Sequence, residues 1–298
     1  MKIFTTFAGM QFVLYSVICS VIVSVLLKLA RKKRLDTFQI ICWNYPTAVL
    51  LTYFFFEPSA EHILNPNHAW EIFVPLAFLL PSVFFALSLS LKSVGIVRTE
   101  VAQRLSLIVP LIAAFYWFGE QLQWTTAIGL SIGFIAILLC IGWSKTDPRQ
   151  YKRQRNPWFY PTLVFLGYGL CDILFKRIAQ TTSIPYTTAM FVVFVMAMLF
   201  AFLWWYIFAL RNSSRFQIPA IFWGSALGLF NFANILFYMK AHRALPDNPS
   251  IVFAGMNMGV IALGALVGLW LFKEKLSKWN WVGIGLAMMA VAILAYTK

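Results

Sequence analysis

Acidic residues and histidines are the scarce components of this chain. Only 10 of its 298 residues are Asp or Glu, and adding Lys and Arg brings the charged fraction to just 11%, against about a quarter in an ordinary soluble domain. With 61% hydrophobic residues and a mean hydropathy of +0.77, this composition excludes a water-soluble enzyme. The three histidines, His62, His68 and His242, fall in no HExxH, GxSxG or paired catalytic motif, and no P-loop sequence occurs. Those gaps leave no zinc-peptidase motif and remove an ATP-driven pump acting alone. Four cysteines, Cys19, Cys42, Cys140 and Cys171, lie far apart inside apolar runs without CxxC or Cys/His spacing. They read as small buried hydrophobes, and neither a metal site nor a cofactor is expected. No catalytic set can be assembled, since a lone Asp172 in an apolar run does not make an enzyme. An intramembrane enzyme or a structural membrane protein is the rival reading.

The chain is rich instead in long apolar runs. A membrane-spanning helix takes about 20 residues, and ten runs of that order follow one another. They are approximately Phe7 to Leu29, Phe38 to Phe56, Glu71 to Leu91, Val97 to Phe118, Trp124 to Gly142, Phe159 to Ala179, Thr187 to Leu210, Ile218 to Met239, Ile251 to Phe272 and Trp279 to Tyr296. Uniformly apolar runs predict helices, which satisfy their backbone hydrogen bonds internally, rather than the alternating strands of a barrel. The expected fold class is therefore an all-α integral membrane protein of ten transmembrane helices. Trp70, Trp124, Trp158, Tyr160, Trp279 and Tyr296 sit near run ends, as interfacial anchors do. The first run shows no small-residue cleavage pattern and is expected to persist as a helix.

The net charge of +14 is not a nucleic-acid footprint, because the basic residues lie between apolar runs. A lipid bilayer is the expected surrounding and nucleic acid is not a partner. Loops after odd-numbered runs carry sixteen Lys and Arg, beginning with Arg31, Lys32, Lys33 and Arg34, while the other side holds Lys2, Lys240, Arg243 and Lys298. The positive-inside rule then predicts cytoplasmic odd loops and external termini. The polar stretch Ser144 to Asn156 divides the chain into a first five-helix repeat (1–143), a basic linker (144–157) and a second five-helix repeat (158–298). Short tails without retention signals suggest a bacterial cytoplasmic membrane.

The two halves share sequence. Phe118 to Ile137 is answered by Phe272 to Val291, so that Phe118 and Phe272, Glu120 and Glu274, Leu122 and Leu276, Gly129 and Gly283, and Ala136 and Ala290 coincide at one offset. More weakly, LLKLA at Leu26 to Ala30 faces LFKRI at Leu174 to Ile178, pairing Lys28 with Lys176. An odd number of helices per half makes the second copy upside down, an inverted-topology repeat of the kind that builds alternating-access transporters. The ten-helix pattern, the G-E-x-L turn at Gly119 to Leu122, the K-E-K-L turn at Lys273 to Leu276 and the Gly-rich helices after them resemble the drug/metabolite transporter superfamily, EamA type. That resemblance implies export or exchange of a small metabolite or drug-like solute, and also implies cytoplasmic termini, opposite to the charge distribution. The chain departs from the family pattern at Cys42 to Pro46, where an Arg is common, and at Lys273, which stands where the first turn has Gly119.

Polar side chains are costly in lipid unless they face a bundle interior or a water-filled path, which makes them site candidates. Tyr168, Asp172 and Lys176 recur at i, i+4 and i+8 along one helical stripe. Asp172 could bind a substrate amine or carry a coupling proton, or form a structural ion pair with Lys176. Gln103 and Asn257 are repeat partners at equivalent depth, and Asn44 and Asn231 join them as substrate-lining candidates. Glu100 and Arg104 form an i, i+4 pair near a span end. Asn234 has no assigned role. Lys28 and Lys176 read as side chains snorkelling to the interface. Glu120 and Glu274 are expected to be structural, accepting backbone N–H bonds in tight turns, and Gly129 and Gly283 to allow close helix packing.

Overall fold

A computed structural model of the protein describes residues 2–58, 69–94, 96–140, 158–181, 184–212, 216–273 and 277–296. All regular structure among them is helical: α1 (Lys2–Lys32), α2 (Thr37–Phe56), α3 (Trp70–Ser93), α4 (Ile96–Leu105), α5 (Ile108–Tyr116), α6 (Trp124–Cys140), α7 (Phe159–Gln180), α8 (Tyr186–Asn212), α9 (Ile218–Ala244), α10 (Pro249–Phe272) and α11 (Lys278–Ala295). Six of these, α1, α3, α8, α9, α10 and α11, are long and apolar enough to cross a membrane. The chain is a multi-pass membrane protein. Trp70, Trp124, Trp158, Trp279 and Tyr296 are exposed at helix ends, where amphipathic rings meet the headgroups. The linker 144–157, His62, His68 and Glu274 lie outside the described residues.

The fourth expected span is not one helix. It breaks between α4 and α5 at Ser106 and Leu107, and Pro110 supplies the cause. Proline has no N–H to give the carbonyl four residues back, and its ring collides with that carbonyl. The freed Ser106 carbonyl accepts from Val109 N at 3.0 Å instead, a tighter turn that ends α4. Helix termini elsewhere follow capping chemistry. Asp36 accepts from Phe38 N at 2.9 Å to start α2, and Ser277 accepts from Asn280 N at 3.2 Å to start α11, each satisfying an orphan donor.

The helices of the two halves interleave rather than forming two separate bundles. α1 packs on α9 and α10, while α7 packs on α3, α4 and α5. α2 lies against α8 and α9, α3 against α8, and α6 against α11. Small residues set how close these crossings come. On α9, a Cβ at Gly224 would stand 2.7 Å from the Ile40 carbonyl oxygen, and one at Gly228 would stand 2.5 Å from that of Asn44, so the α2 and α9 backbones touch only because neither residue has a side chain. The α6–α11 crossing is reciprocal: Gly129 faces Leu294, and Gly283 faces Cys140. These pairs are interchanged by the offset that relates Gly129 to Gly283.

Candidate functional site

The α2–α9 contact is tight enough to bring Asn231 Nδ2 within 3.2 Å of Asn44 Oδ1, to which it donates. Hydrogen bonds of this kind inside a membrane bundle are worth about 0.6 kcal/mol on average, so the pair fixes register more than it supplies stability. Beside it, Asn44 Nδ2 and the Tyr45 hydroxyl are buried without a partner among the described residues. Each such group costs about 1–3 kcal/mol, a burden that calls for a functional or solvent explanation.

Two further turns along α9, Tyr238 donates its hydroxyl to Asp172 Oδ1 on α7 at 2.8 Å. The second carboxylate oxygen of Asp172 has no hydrogen-bond partner among the described residues and is not sealed. Tyr168, Asp172 and Arg104 are surrounded by protein yet keep part of their surface open, which marks an internal crevice bounded by α4, α7 and α9. Tyr45 on α2 lies near Tyr168 and Cys171 on α7. Asn44, Tyr168, Asp172 and Asn231 thus stand on helices that converge on one interior region. Gln103 precedes Arg104 on α4, the helix packed on α7. Asn257 turns its amide to its own helix, donating to the Phe253 carbonyl at 3.1 Å. Asn234 accepts from the Ser16 hydroxyl at 2.7 Å and so ties α9 to α1.

Two sequence expectations change. Asp172 and Lys176 share a stripe but do not pair: Lys176 Nζ donates to the Pro246 carbonyl at 2.7 Å, because the α9–α10 turn closes over it. Nor does Lys176 snorkel, being completely buried. Its ammonium lies 6.0 Å above the Phe118 ring, while its repeat partner Lys28 lies 4.0 Å above Phe272. Phe118 and Phe272 are themselves repeat partners, so each half lends its first helix's lysine to the other half's turn.

Glu120 is buried in the turn after α5 and accepts from Ser250 N at 2.9 Å and from the Ser250 hydroxyl. Burial pushes its carboxyl above the usual carboxylate range, against the pull of the Ser250 bonds and of nearby Lys176. Glu120 therefore clamps the start of α10, a helix of the other half, rather than the helix that follows it. The preceding Gly119 has φ 68°, and its repeat partner Lys273 holds φ 53°, so both turns use left-handed backbone although only one has glycine.

Sequence reasoning passed over Tyr238 and Tyr45, named His242 only in excluding catalytic motifs, and read Arg104 only as the partner of Glu100. A signal was present for two of them, since Asn231, Tyr238 and His242 recur at spacings of seven and four and so fall on one face of a helix. Nothing in the letters announces Tyr45 or the burial of Arg104.

A family model described as the EamA-like transporter family matches residues 7–142. A relative described as an uncharacterized protein of Haemophilus influenzae is 39% identical over 297 residues, covering 96% of this chain and 98% of that protein. A solved crystal structure is similar with a TM-score of 0.70 at 13% identity, over 96% of each chain, a likeness of fold alone.

Proposed function

The chain belongs to the EamA-like transporter family, and on that premise we propose that it is a secondary transporter moving a small metabolite or drug-like solute, such as an amino acid, by alternating access. The observation that carries the reading is the partly open Asp172 carboxylate, held by Tyr238 deep among α4, α7 and α9. An ionisable group in that position is costly unless it meets a solute, a proton or water on a path. Asn44, Gln103, Tyr168, Asp172, Asn231 and Asn257 line the route in this reading, with Asp172 taking a substrate amine or a coupling proton. The solute and the lipid are its partners.

Ten spans in two inverted five-helix repeats would provide the movement. Reciprocity between halves supports that arrangement: α1 on α9 is echoed by α7 on α3, the two lysine–phenylalanine contacts exchange halves, and the Gly129 and Gly283 contacts are interchanged by one offset. Halves related in this way can rock about a midplane site and expose it to each face in turn. Basic residues concentrated on the odd loops favour a cytoplasmic position for those loops in a bacterial cytoplasmic membrane.

The test is uptake of a mixed metabolite pool into proteoliposomes, read by mass spectrometry, with and without a pH gradient. Saturable, gradient-sensitive uptake that Asp172→Asn abolishes is the expected result. Uptake that ignores the gradient and survives the substitution would make Asp172 structural and the protein a facilitator. No uptake by folded protein would overturn the transporter reading.

A further inference from the structure

Beyond Asp172, toward the α7–α8 and α9–α10 turns, the side chains form layers. A pocket of 340 Å³ lies at that end, lined by Ala179, Gln180, Thr181, His242, Arg243 and Pro246. It is a shallow, largely open depression whose polar groups include an amide, a hydroxyl and a guanidinium. Gln180 is eight residues from Asp172 on the same helix, about 12 Å along the axis. Between pocket and crevice sit His242 and Lys176, both 0% exposed.

His242 is wedged edge-on between two aromatic rings, Tyr238 at 4.7 Å and Phe253 at 4.8 Å. Neither of its ring nitrogens has a partner among the described residues. A plain core would fill this place better with an apolar ring, because every unsatisfied buried nitrogen costs about 1–3 kcal/mol. An imidazole suits a position that is dry in one state and wet in another. The barrier is built from two side chains: ring contacts hold His242, and a hydrogen bond to the Pro246 carbonyl, with the Phe118 ring and Glu120 nearby, holds Lys176. It can swing aside by rotamer changes without breaking a helix. Tyr238, the ring against which His242 rests, is the residue that holds Asp172, so displacement of one bears directly on the other.

We infer that His242, seated with Lys176 against Phe253, is a gate between this pocket and the Asp172 crevice, and that the pocket is the mouth receiving a small polar solute. What passes the gate rests on the transporter reading. The gate itself does not, and it is tested without any substrate.

Cys171 adjoins Asp172 and is buried on α7, which makes it a natural reporter. With Cys19, Cys42 and Cys140 replaced by Ala, the protein is reconstituted into liposomes and treated with trypsin from outside. Molecules whose 144–157 segment is sheltered stay intact, and in those the pocket end faces the medium. A charged, membrane-impermeant methanethiosulfonate reagent is then added and modification of intact protein is followed by mass spectrometry. Slow modification is expected in the parent, at least tenfold faster modification in His242→Ala, and no acceleration in His242→Phe, which refills the space. Leu227→Ala, an equally buried truncation toward the opposite end of α9, is expected to leave the rate unchanged.

Fast modification of the parent would overturn the inference. So would an unchanged rate in His242→Ala with its thermal unfolding transition retained, or equal acceleration by Leu227→Ala. A protein that transports nothing can still pass this test, and a transporter gated elsewhere fails it, so the two readings fall separately.

Discussion

Gly129 and Gly283 occupy matching positions in the repeated segment, and the letters alone treat them as equivalent. Their surroundings differ. A Cβ at position 283 would lie 3.0 Å from both the Ala136 carbonyl oxygen and the Cys140 backbone nitrogen, as well as 2.7 Å from Cys140 Sγ. A Cβ at position 129 would meet side chains only, Leu294 at 2.9 Å and Ile293 at 3.3 Å. Alanine gains about 1 kcal/mol over glycine in a helix interior at either site. Overpacking costs about 1–3 kcal/mol when neighbours cannot yield, and a helix backbone yields less than a leucine rotamer. Gly283→Ala is therefore expected to be the costlier change by about 1–2 kcal/mol. Each kcal/mol moves the midpoint of a domain of 150–250 residues by about 2–4 °C, and less in a longer chain, so the two variants should separate by about 1–4 °C. Tryptophan fluorescence during heating in detergent, at one scan rate for all samples, reads the difference. Equal midpoints, or a lower one for Gly129→Ala, would refute the assignment of backbone to one contact and side chain to the other.

Glu120→Ala removes both acceptors from Ser250 and leaves its backbone N–H unsatisfied, which should cost about 1–3 kcal/mol; the same melting assay checks it, and an unchanged midpoint would show that the clamp contributes nothing. Lys273→Gly relieves a left-handed backbone that costs an L-residue about 1–2 kcal/mol, partly offset by the greater freedom of glycine in the unfolded chain. A rise in midpoint is expected, and a fall would contradict it.

The long apolar runs made most helices legible, because in lipid no other backbone arrangement satisfies an unbroken run of that length. The fourth run misled for a local reason. Apolarity reports burial, whereas the break at Ser106 depends on Pro110 four residues on, and Pro46, Pro75 and Pro81 sit inside helices that continue through them. The site was legible in composition but not in pairing. Asp172 stands out in the sequence as a carboxylate in an apolar helix, yet spacing proposed Lys176 as its partner, while the fold supplies Tyr238 from 66 residues away. Lys176 was claimed by a backbone carbonyl, and carbonyls are invisible to any reading of side-chain types. The repeat, by contrast, carried more than its letters: Lys273 departs from Gly119 in identity but keeps its conformation.

The interleaving of the two halves also sets the order in which the chain can be finished. Ser16 on α1 bonds to Asn234 on α9 across 218 residues of sequence. At about 5–20 residues per second, synthesis takes about 10–40 s to deliver that partner after α1 has been made. During this interval Ser16 and Gly9 of α1 lack Asn234 and Leu245, which meet them in the finished fold, and in the first half α1 makes only a slight contact with α2. A nascent chain stalled before α9 therefore has only that contact with α2 to hold its first helix.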